Sequence, residues 1–298
     1  QMLFRPLRQI ADKFNTLQMG MVAAKRVFEI LDSDHNISDK GTLKNEEING
    51  DIKFEKVYFS YVNNNNVLND INLTIKKGEK IAIVGATGSG KSTIIKLILR
   101  LYDLENGVIK INNKNIKNYK ISDLRSSISL VNQDIFLFAD SIFNNITLFN
   151  EKISKKEVEE AAKNIGVLEF INKLPGGLNY NVKERGVMLS EGQRQIISFL
   201  RAYVSNPNIL ILDEATSSID SKTEELIQFA TNKLIQDKTS IIIAHRLSTI
   251  ISADKIIVMR SGKIIEIGSH SELITRKGYY KKLYEVQFEK KELFTEIF

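Results

Sequence analysis

From residue 3 to residue 31 the apolar positions recur at alternating four- and three-residue steps: Leu3, Leu7, Ile10, Phe14, Leu17, Met21, Ala24, Phe28 and Leu31. That spacing predicts a seam along one face of a long helix, and nothing later in the pattern supplies its partner. The segment from Asp32 to Asn49 is polar and charged, carries Gly41 and sustains no period, so a linker is expected. From Asp51 the period drops to two. Ile52, Phe54 and Tyr58 share one parity, an asparagine-rich turn covers Asn63 to Asn66, and Val67 to Ile75 follows, which predicts an antiparallel β layer. Ile81 to Val84 reads as a short buried strand, a glycine-rich loop follows it, and Ile94 to Leu101 continues as an apolar helix.

Between residues 135 and 204 the pattern turns helical, notably over Lys155 to Ile165 and Gln193 to Val204, with a turn at Pro175-Gly176-Gly177. An inserted helical subdomain is expected there. Strand character returns at Ile209 to Leu212 and Ser240 to Ala244, separated by the amphipathic stretch Thr223 to Ile235, as a parallel βαβ unit requires. The end, Tyr279 to Phe298, is helical and charged, with Leu283, Val286, Leu293 and Ile297 available for packing.

At 298 residues and 43% hydrophobic content the chain can bury a full core, and one main domain with appendages is expected. Cysteine is absent, which excludes a disulfide scaffold and a thiolate metal site. The formal charge of +6 comes from scattered lysines without a dense basic block, the distribution of a solvated surface rather than a nucleic-acid interface. No stretch approaches the roughly 18 to 20 apolar residues of a membrane span, and the beginning lacks a signal-peptide pattern, so this chain is expected not to cross a membrane.

The glycine-rich loop carries the chemistry. Gly85-Ala86-Thr87-Gly88-Ser89-Gly90-Lys91-Ser92-Thr93 has the Walker A spacing, in which glycines let consecutive backbone N–H groups wrap phosphate oxygens at a helix N-terminus. Lys91 is expected to bridge the β- and γ-phosphates, and Ser92 to offer a hydroxyl to Mg²⁺. Asp213 and Glu214 end the apolar strand that starts at Ile209: Asp213 is expected in the Mg²⁺ shell, and Glu214 as the base that takes a proton from, or orients, the attacking water. His245 follows the strand Ile241 to Ala244, where its imidazole could hydrogen-bond the γ-phosphate or Glu214. A lone imidazole at a strand end often just meets a backbone carbonyl; the place after the second core strand selects the catalytic reading. His35 and His270 lack such a context, and no histidine metal site is expected.

A second anion-binding turn narrows the class. Leu189-Ser190-Glu191-Gly192-Gln193 resembles the signature motif of ABC-type ATPases, with Glu191 where the family's Leu-Ser-Gly-Gly-Gln pattern has glycine. With these motifs in order, Asp51 to Leu283 resembles the nucleotide-binding domain of ABC transporters. The resemblance implies an α/β ABC-ATPase fold: a RecA-like parallel-sheet core, an antiparallel β layer and an inserted helical subdomain, here preceded by a long N-terminal helix. The implied parts are residues 1–32 as that helix, 33–49 as linker, 50–278 as the ATPase domain with the helical subdomain over about 135–204, and 279–298 as a C-terminal helix.

The same resemblance assigns Tyr61 as the A-loop aromatic that stacks on adenine, and Gln133 as the Q-loop glutamine touching Mg²⁺ or the water. It likewise makes Asp220 the D-loop carboxylate and His245 the switch histidine. Lys183-Glu184-Arg185-Gly186 is similar to the X-loop of exporters, although Tyr180 and Lys183 depart from the usual Thr and Gly. Two such domains face head to tail in the family, so Ser190, Gly192, Gln193 and Asp220 would serve the ATP of the partner. A carboxylate at Glu191, about 7 Å from that phosphate, would repel it by about 2 kcal/mol at an effective dielectric constant near 20, unless the side chain lies in solvent. The solvent position is the one expected.

Met19 to Asp32 looks like the junction through which an exporter's last membrane helix enters the ATPase; a self-associating hairpin or coiled coil is the alternative. What the resemblance implies is an ATP-hydrolysing, Mg²⁺-dependent export motor on the cytoplasmic side of a membrane. Its partners would be a second ABC ATPase domain, identical or not, and a membrane-spanning domain of the same or a partner half-transporter, with no nucleic acid. Two alternatives stand beside it. One is a dimerisation switch without hydrolysis; the other is a DNA-maintenance ATPase, whose long coiled-coil interruptions this sequence lacks.

Overall fold

The computed structural model of the chain describes residues 4–32, 37–44, 48, 50–62, 65–213, 221–244 and 247–286. Leu3, Glu214, Asp220, His245, Leu293 and Ile297 lie outside the described residues. The chain divides into two compact units, 1–38 and 39–298.

The first unit is one helix, α1, Phe4–Leu31, 28 residues long and with none buried. Pro6 sits in its opening turn, where the missing N–H costs nothing, and Lys25 pairs with Glu29 one turn on at 3.8 Å. The seam is there as expected, and bare: Leu7, Ile10, Phe14, Leu17, Met21, Phe28 and Leu31 are all exposed. Among the described residues no helix is long and apolar enough to cross a membrane.

The second unit is built on two sheets. Strands β1 (Ile52–Ser60) and β2 (Asn66–Ile75) form an antiparallel pair that β4 (Asn106–Ile111) and β5 (Lys114–Asn115) extend, in the order β2-β1-β4-β5. The other sheet holds β3 (Lys80–Val84), β6 (Ile128–Val131), β7 (Ile209–Asp213), β8 (Thr239–Ile243), β9 (Lys255–Arg260) and β10 (Lys263–Gly268), in the order β10-β9-β3-β8-β7-β6. It is parallel throughout except for the β9-β10 hairpin.

Both faces of the parallel strands are covered, which is why they read as apolar runs rather than alternations. The pleat divides them between two cores. Ile81, Ile83, Ile209, Ile211, Ile241 and Ile243 face the antiparallel sheet and α2 (Lys91–Ile98). Ala82, Leu210, Leu212, Ile242 and Ala244 face the opposite core, where the helices pack.

One parity expectation fails, and a bulge explains it. Ile52 and Phe54 point inward as expected, but Tyr58 is exposed and Val57 and Phe59 take the core positions. Lys56 adopts φ +47° and the register with β2 shifts between Phe54 and Val57, so one extra residue flips every later side chain to the other face. Gly107 of β4 accommodates the bulge: a Cβ there would lie 2.3 Å from the Lys56 carbonyl oxygen.

Residues 39–44 and 48 lie within the expected linker, yet they are tied to the domain. Thr42 and Leu43 N–H donate to the Asn118 carbonyl, and Ile48 is buried. Between β5 and β6 runs α3 (Ile121–Ser126). The inserted region carries α4 (Ile142–Thr147), α5 (Lys155–Asn164), α6 (Leu168–Lys173) and α7 (Glu191–Val204). Its far side returns to the sheet, because Ile196, Ile197 and Leu200 of α7 share a core with Leu210 of β7 and Ile227 of α8 (Ser221–Ile235). Helices α9 (Leu247–Ile251), α10 (His270–Thr275) and α11 (Tyr279–Tyr284) are the remaining α-helices among the described residues.

Candidate nucleotide-binding site

The parallel strands β3, β6, β7 and β8 all end on the same edge of their sheet, and β3, β6 and β7 each lead to an expected site residue there. The Walker A loop leaves β3, Gln133 follows β6, Asp213 closes β7, and Ala244, directly before His245, follows β8. Glu214, Asp220 and His245 lie outside the described residues, so the geometry below concerns the others.

The loop from Gly85 to Gly90 turns into α2 through Gly90 at φ +103°, a left-handed cap position open to glycine at no steric cost. No side chain caps α2. Its first-turn amides, from Lys91, Ser92 and Thr93, therefore have no intrahelical acceptor and sit at the positive end of the helix dipole. Thr87, Gly88 and Ser92 are exposed, Gly85 is half-buried, and Ser89, Gly90 and Thr93 are buried. The Ser89 hydroxyl makes no hydrogen bond.

Lys91 folds back over this loop. Its ammonium donates to the carbonyls of Gly85 at 2.7 Å and Ala86 at 3.1 Å. Burial pushes its pKa below the usual lysine range, while the negative charge of Asp213 pulls the opposite way. The loop thus concentrates cationic and N–H character around a shell of backbone, with Asp213 half-exposed beside it. Such a cradle holds a polyphosphate through backbone amides and one ammonium, and the hydroxyl of Ser92 and the carboxylate of Asp213 are the hard oxygen donors a divalent cation takes. The residues present fit Mg²⁺ with a nucleotide triphosphate.

Tyr61 stands beside α2, its hydroxyl sharing a hydrogen bond with Thr93 Oγ1 at 3.2 Å. Phe59 and Tyr102 pack against its ring, and the Lys96 ammonium lies 5.3 Å from the ring centroid. Gln133 is exposed at the start of a loop that runs into the helical region. Sequence reasoning missed the residues that anchor this loop. Buried Asn145 accepts from Phe138 N–H at 2.8 Å and donates to the Phe138 carbonyl at 3.0 Å, and Arg201 donates through Nε to the Asn145 carbonyl at 2.9 Å. Burial lowers the Arg201 pKa. The one signal for Asn145 in the sequence is a polar residue inside an apolar helix pattern.

Ser190, Gly192 and Gln193 come from a different element, the N-terminus of α7. Ser190 is its N-cap: its hydroxyl accepts from Gln193 N–H at 3.3 Å, and the Gln193 side chain accepts from Ser190 N–H at 3.0 Å. Gly192 is buried, and Glu191 at the first helical position is exposed, as expected for it. The X-loop-like turn adjoins this turn in sequence. Lys183 and Arg185 hold φ +61° and +54°, and the neighbouring strand-like contacts run from Val182 N–H to the Asp140 carbonyl and from Ile142 N–H to the Tyr180 carbonyl. The turn before the signature and the segment after Gln133 are therefore one hydrogen-bonded patch.

The chain is similar to known proteins along nearly its whole length. A profile described as ABC transporter matches residues 68–217. The chain is 45% identical over 288 residues to the uncharacterised ABC transporter ATP-binding protein YknV of Bacillus subtilis (strain 168), covering 96% of this chain and 48% of that protein. It is 43% identical to the ATP-dependent lipid A-core flippase of Yersinia pestis bv. Antiqua (strain Antiqua), covering 96% of this chain and 49% of that one. The structure of a bacterial Atm1-family ABC exporter with ATP bound superposes with a TM-score of 0.81 at 35% identity, over 96% of this chain and 50% of the exporter. The chain spans about half the length of the curated relatives it matches. Backbone cradle, signature cap and likeness along nearly the whole length converge: the chain belongs to the ABC transporter family and carries its nucleotide-binding domain.

Proposed function

We propose that this domain hydrolyses ATP with Mg²⁺ and, as a head-to-tail dimer, drives export through a membrane domain. The observation that carries the reading is the uncapped N-terminus of α2 with Lys91 folded over it, which brings first-turn amides and an ammonium to one loop. On ATP arrival Lys91 would exchange the Gly85 and Ala86 carbonyls for the β- and γ-phosphates, keeping its charge where burial had disfavoured it. Ser92 and Asp213 would hold Mg²⁺, which offsets phosphate charge when bound. Gln133 would position Mg²⁺ or the water, Glu214 would take the water's proton, and His245 would orient the γ-phosphate or Glu214. Thr87, Gly88 and Gly90 supply loop backbone, and Ser190, Gly192, Gln193 and Asp220 act on the partner's nucleotide. Tyr61 stacks on the base.

The bare apolar seam of α1 supports a continuation of the last membrane helix, and with it a domain that would work on the cytoplasmic side. The exporter with ATP bound and the flippase are relatives of about twice this length, and their breadth leaves the transported substrate unnamed. The test is Glu214→Gln. ATP binding should survive, phosphate release should fall by about 10²- to 10⁴-fold, and a dimer should accumulate in sedimentation with ATP. Near-normal hydrolysis overturns Glu214 as base. A parent chain that binds ATP and dimerises without releasing phosphate is the non-hydrolysing switch instead.

A further inference from the structure

The ring of Tyr61 is held by more than the phosphate loop. Phe59 and Tyr102 stand nearly perpendicular to it, with centroids at 4.9 Å and 87° and at 5.1 Å and 82°, and a Phe59–Tyr102 contact at 5.6 Å closes the triangle. Phe59 is 7% exposed, whereas Tyr61 and Tyr102 are 42% and 40% exposed. Phe59 is thus the buried base of the cluster and the two tyrosines its open rim. The bulge at Lys56 creates this arrangement, since it is what turns Phe59 inward.

Tyr102 reaches the cluster from the turn after α2, and that turn is fixed. Arg100 adopts φ +49°, is buried, and donates from Nε to Asp103 Oδ1 at 3.0 Å. Arg125 donates to the Leu99 and Arg100 carbonyls at 3.1 and 2.9 Å. An open tyrosine on so constrained a turn has its ring set in place before any ligand arrives. Near-perpendicular aromatic neighbours hold a ring's plane, and the Lys96 ammonium over Tyr61 marks a negative π-face that a base can take by displacing a flexible chain.

We propose that Tyr102 is a positioning residue of the base subsite: by bracing Tyr61 it presets the stacking plane, so the domain favours a nucleobase-bearing triphosphate over the bare polyphosphate. The proposal rests on the reading of residues 85–93 as a triphosphate cradle. It adds a residue that no motif points to, and it predicts that base and phosphate binding can be separated.

Calorimetric titrations of the chain with ATP and with inorganic tripolyphosphate, both with Mg²⁺, test it. Tyr102→Ala should weaken ATP by roughly three- to tenfold and leave tripolyphosphate unchanged, and Tyr102→Phe should restore ATP because the ring makes the contacts. Equal weakening of both ligands, or of neither, overturns the proposal, the first by showing that Tyr102 merely supports the loop. Tyr61→Ala separates the failures. If it leaves ATP binding intact, Tyr61 carries no base and Tyr102 has nothing to position; if the parent binds neither ligand, the triphosphate reading itself falls, and this proposal with it.

Discussion

The two helix N-termini that define this domain are finished in opposite ways. Helix α2 begins at a left-handed glycine without a side-chain cap, whereas α7 begins with a reciprocal capping box between Ser190 and Gln193. Both present positive dipole ends to an anion. The α2 end leaves its donors unsatisfied and relies on the ligand to complete it; the α7 end is complete already. An unsatisfied end recognises phosphate at the cost of local stability. A capped end is stable alone and has one hydroxyl and the amides around Gly192 to offer when a second surface approaches. Under the proposed function, the difference would fit the first end for binding and the second for meeting an anion already bound.

Changing each end should separate those tasks. Lys91→Ala carries the largest expected effect: phosphate release should drop on the order of 10²- to 10³-fold, and ATP affinity should fall with it, in a coupled release assay and a calorimetric titration. Ser190→Ala should act on the other end alone. Losing the cap destabilises the fold by about 1 kcal/mol in denaturant unfolding and lowers turnover, while ATP affinity at Lys91 stays unchanged. Parallel loss of ATP affinity would collapse the comparison. The smallest effect is expected for Glu191→Gly. The carboxylate at the first helical position is exposed and contributes about 0.3 to 1 kcal/mol through the dipole. Turnover should change less than tenfold; a rise of tenfold or more would mean that the carboxylate intrudes on the shared site.

What was legible in the sequence was local. The Walker A loop, the run Ile209 to Asp213 and the turn at Ser190 each declare themselves within a few residues, because backbone conformation and strand burial are set there. What was not legible depends on remote pairing. The parity flip at Lys56 is decided by Gly107 across the sheet, and strands β6, β9 and β10 go unrecognised because their places are set by neighbours distant in sequence. Asn145 and Arg201 were invisible for the same reason: their function is to hold the loop after Gln133, a relation of space and not of spacing. Glu214 and His245, read from their places after apolar strands, and Asp220, read from the resemblance, lie outside the described residues.

The hairpin of β9 and β10 has a consequence in time. Its turn residue Gly262 donates to the Ser89 carbonyl at 3.1 Å and accepts from Asn69 N–H at 2.8 Å, and β9 lies directly against β3. The phosphate loop is therefore buttressed by residues made about 170 positions after it, and such long-range closure is the slow part of folding. A ribosome that has released only the Walker A strand and its helix has made a motif without its floor. Nascent chains ending before Lys255 would expose the loop to nucleotide without the support that shapes it, so ligand competence arrives only once β9 and its hairpin have been made.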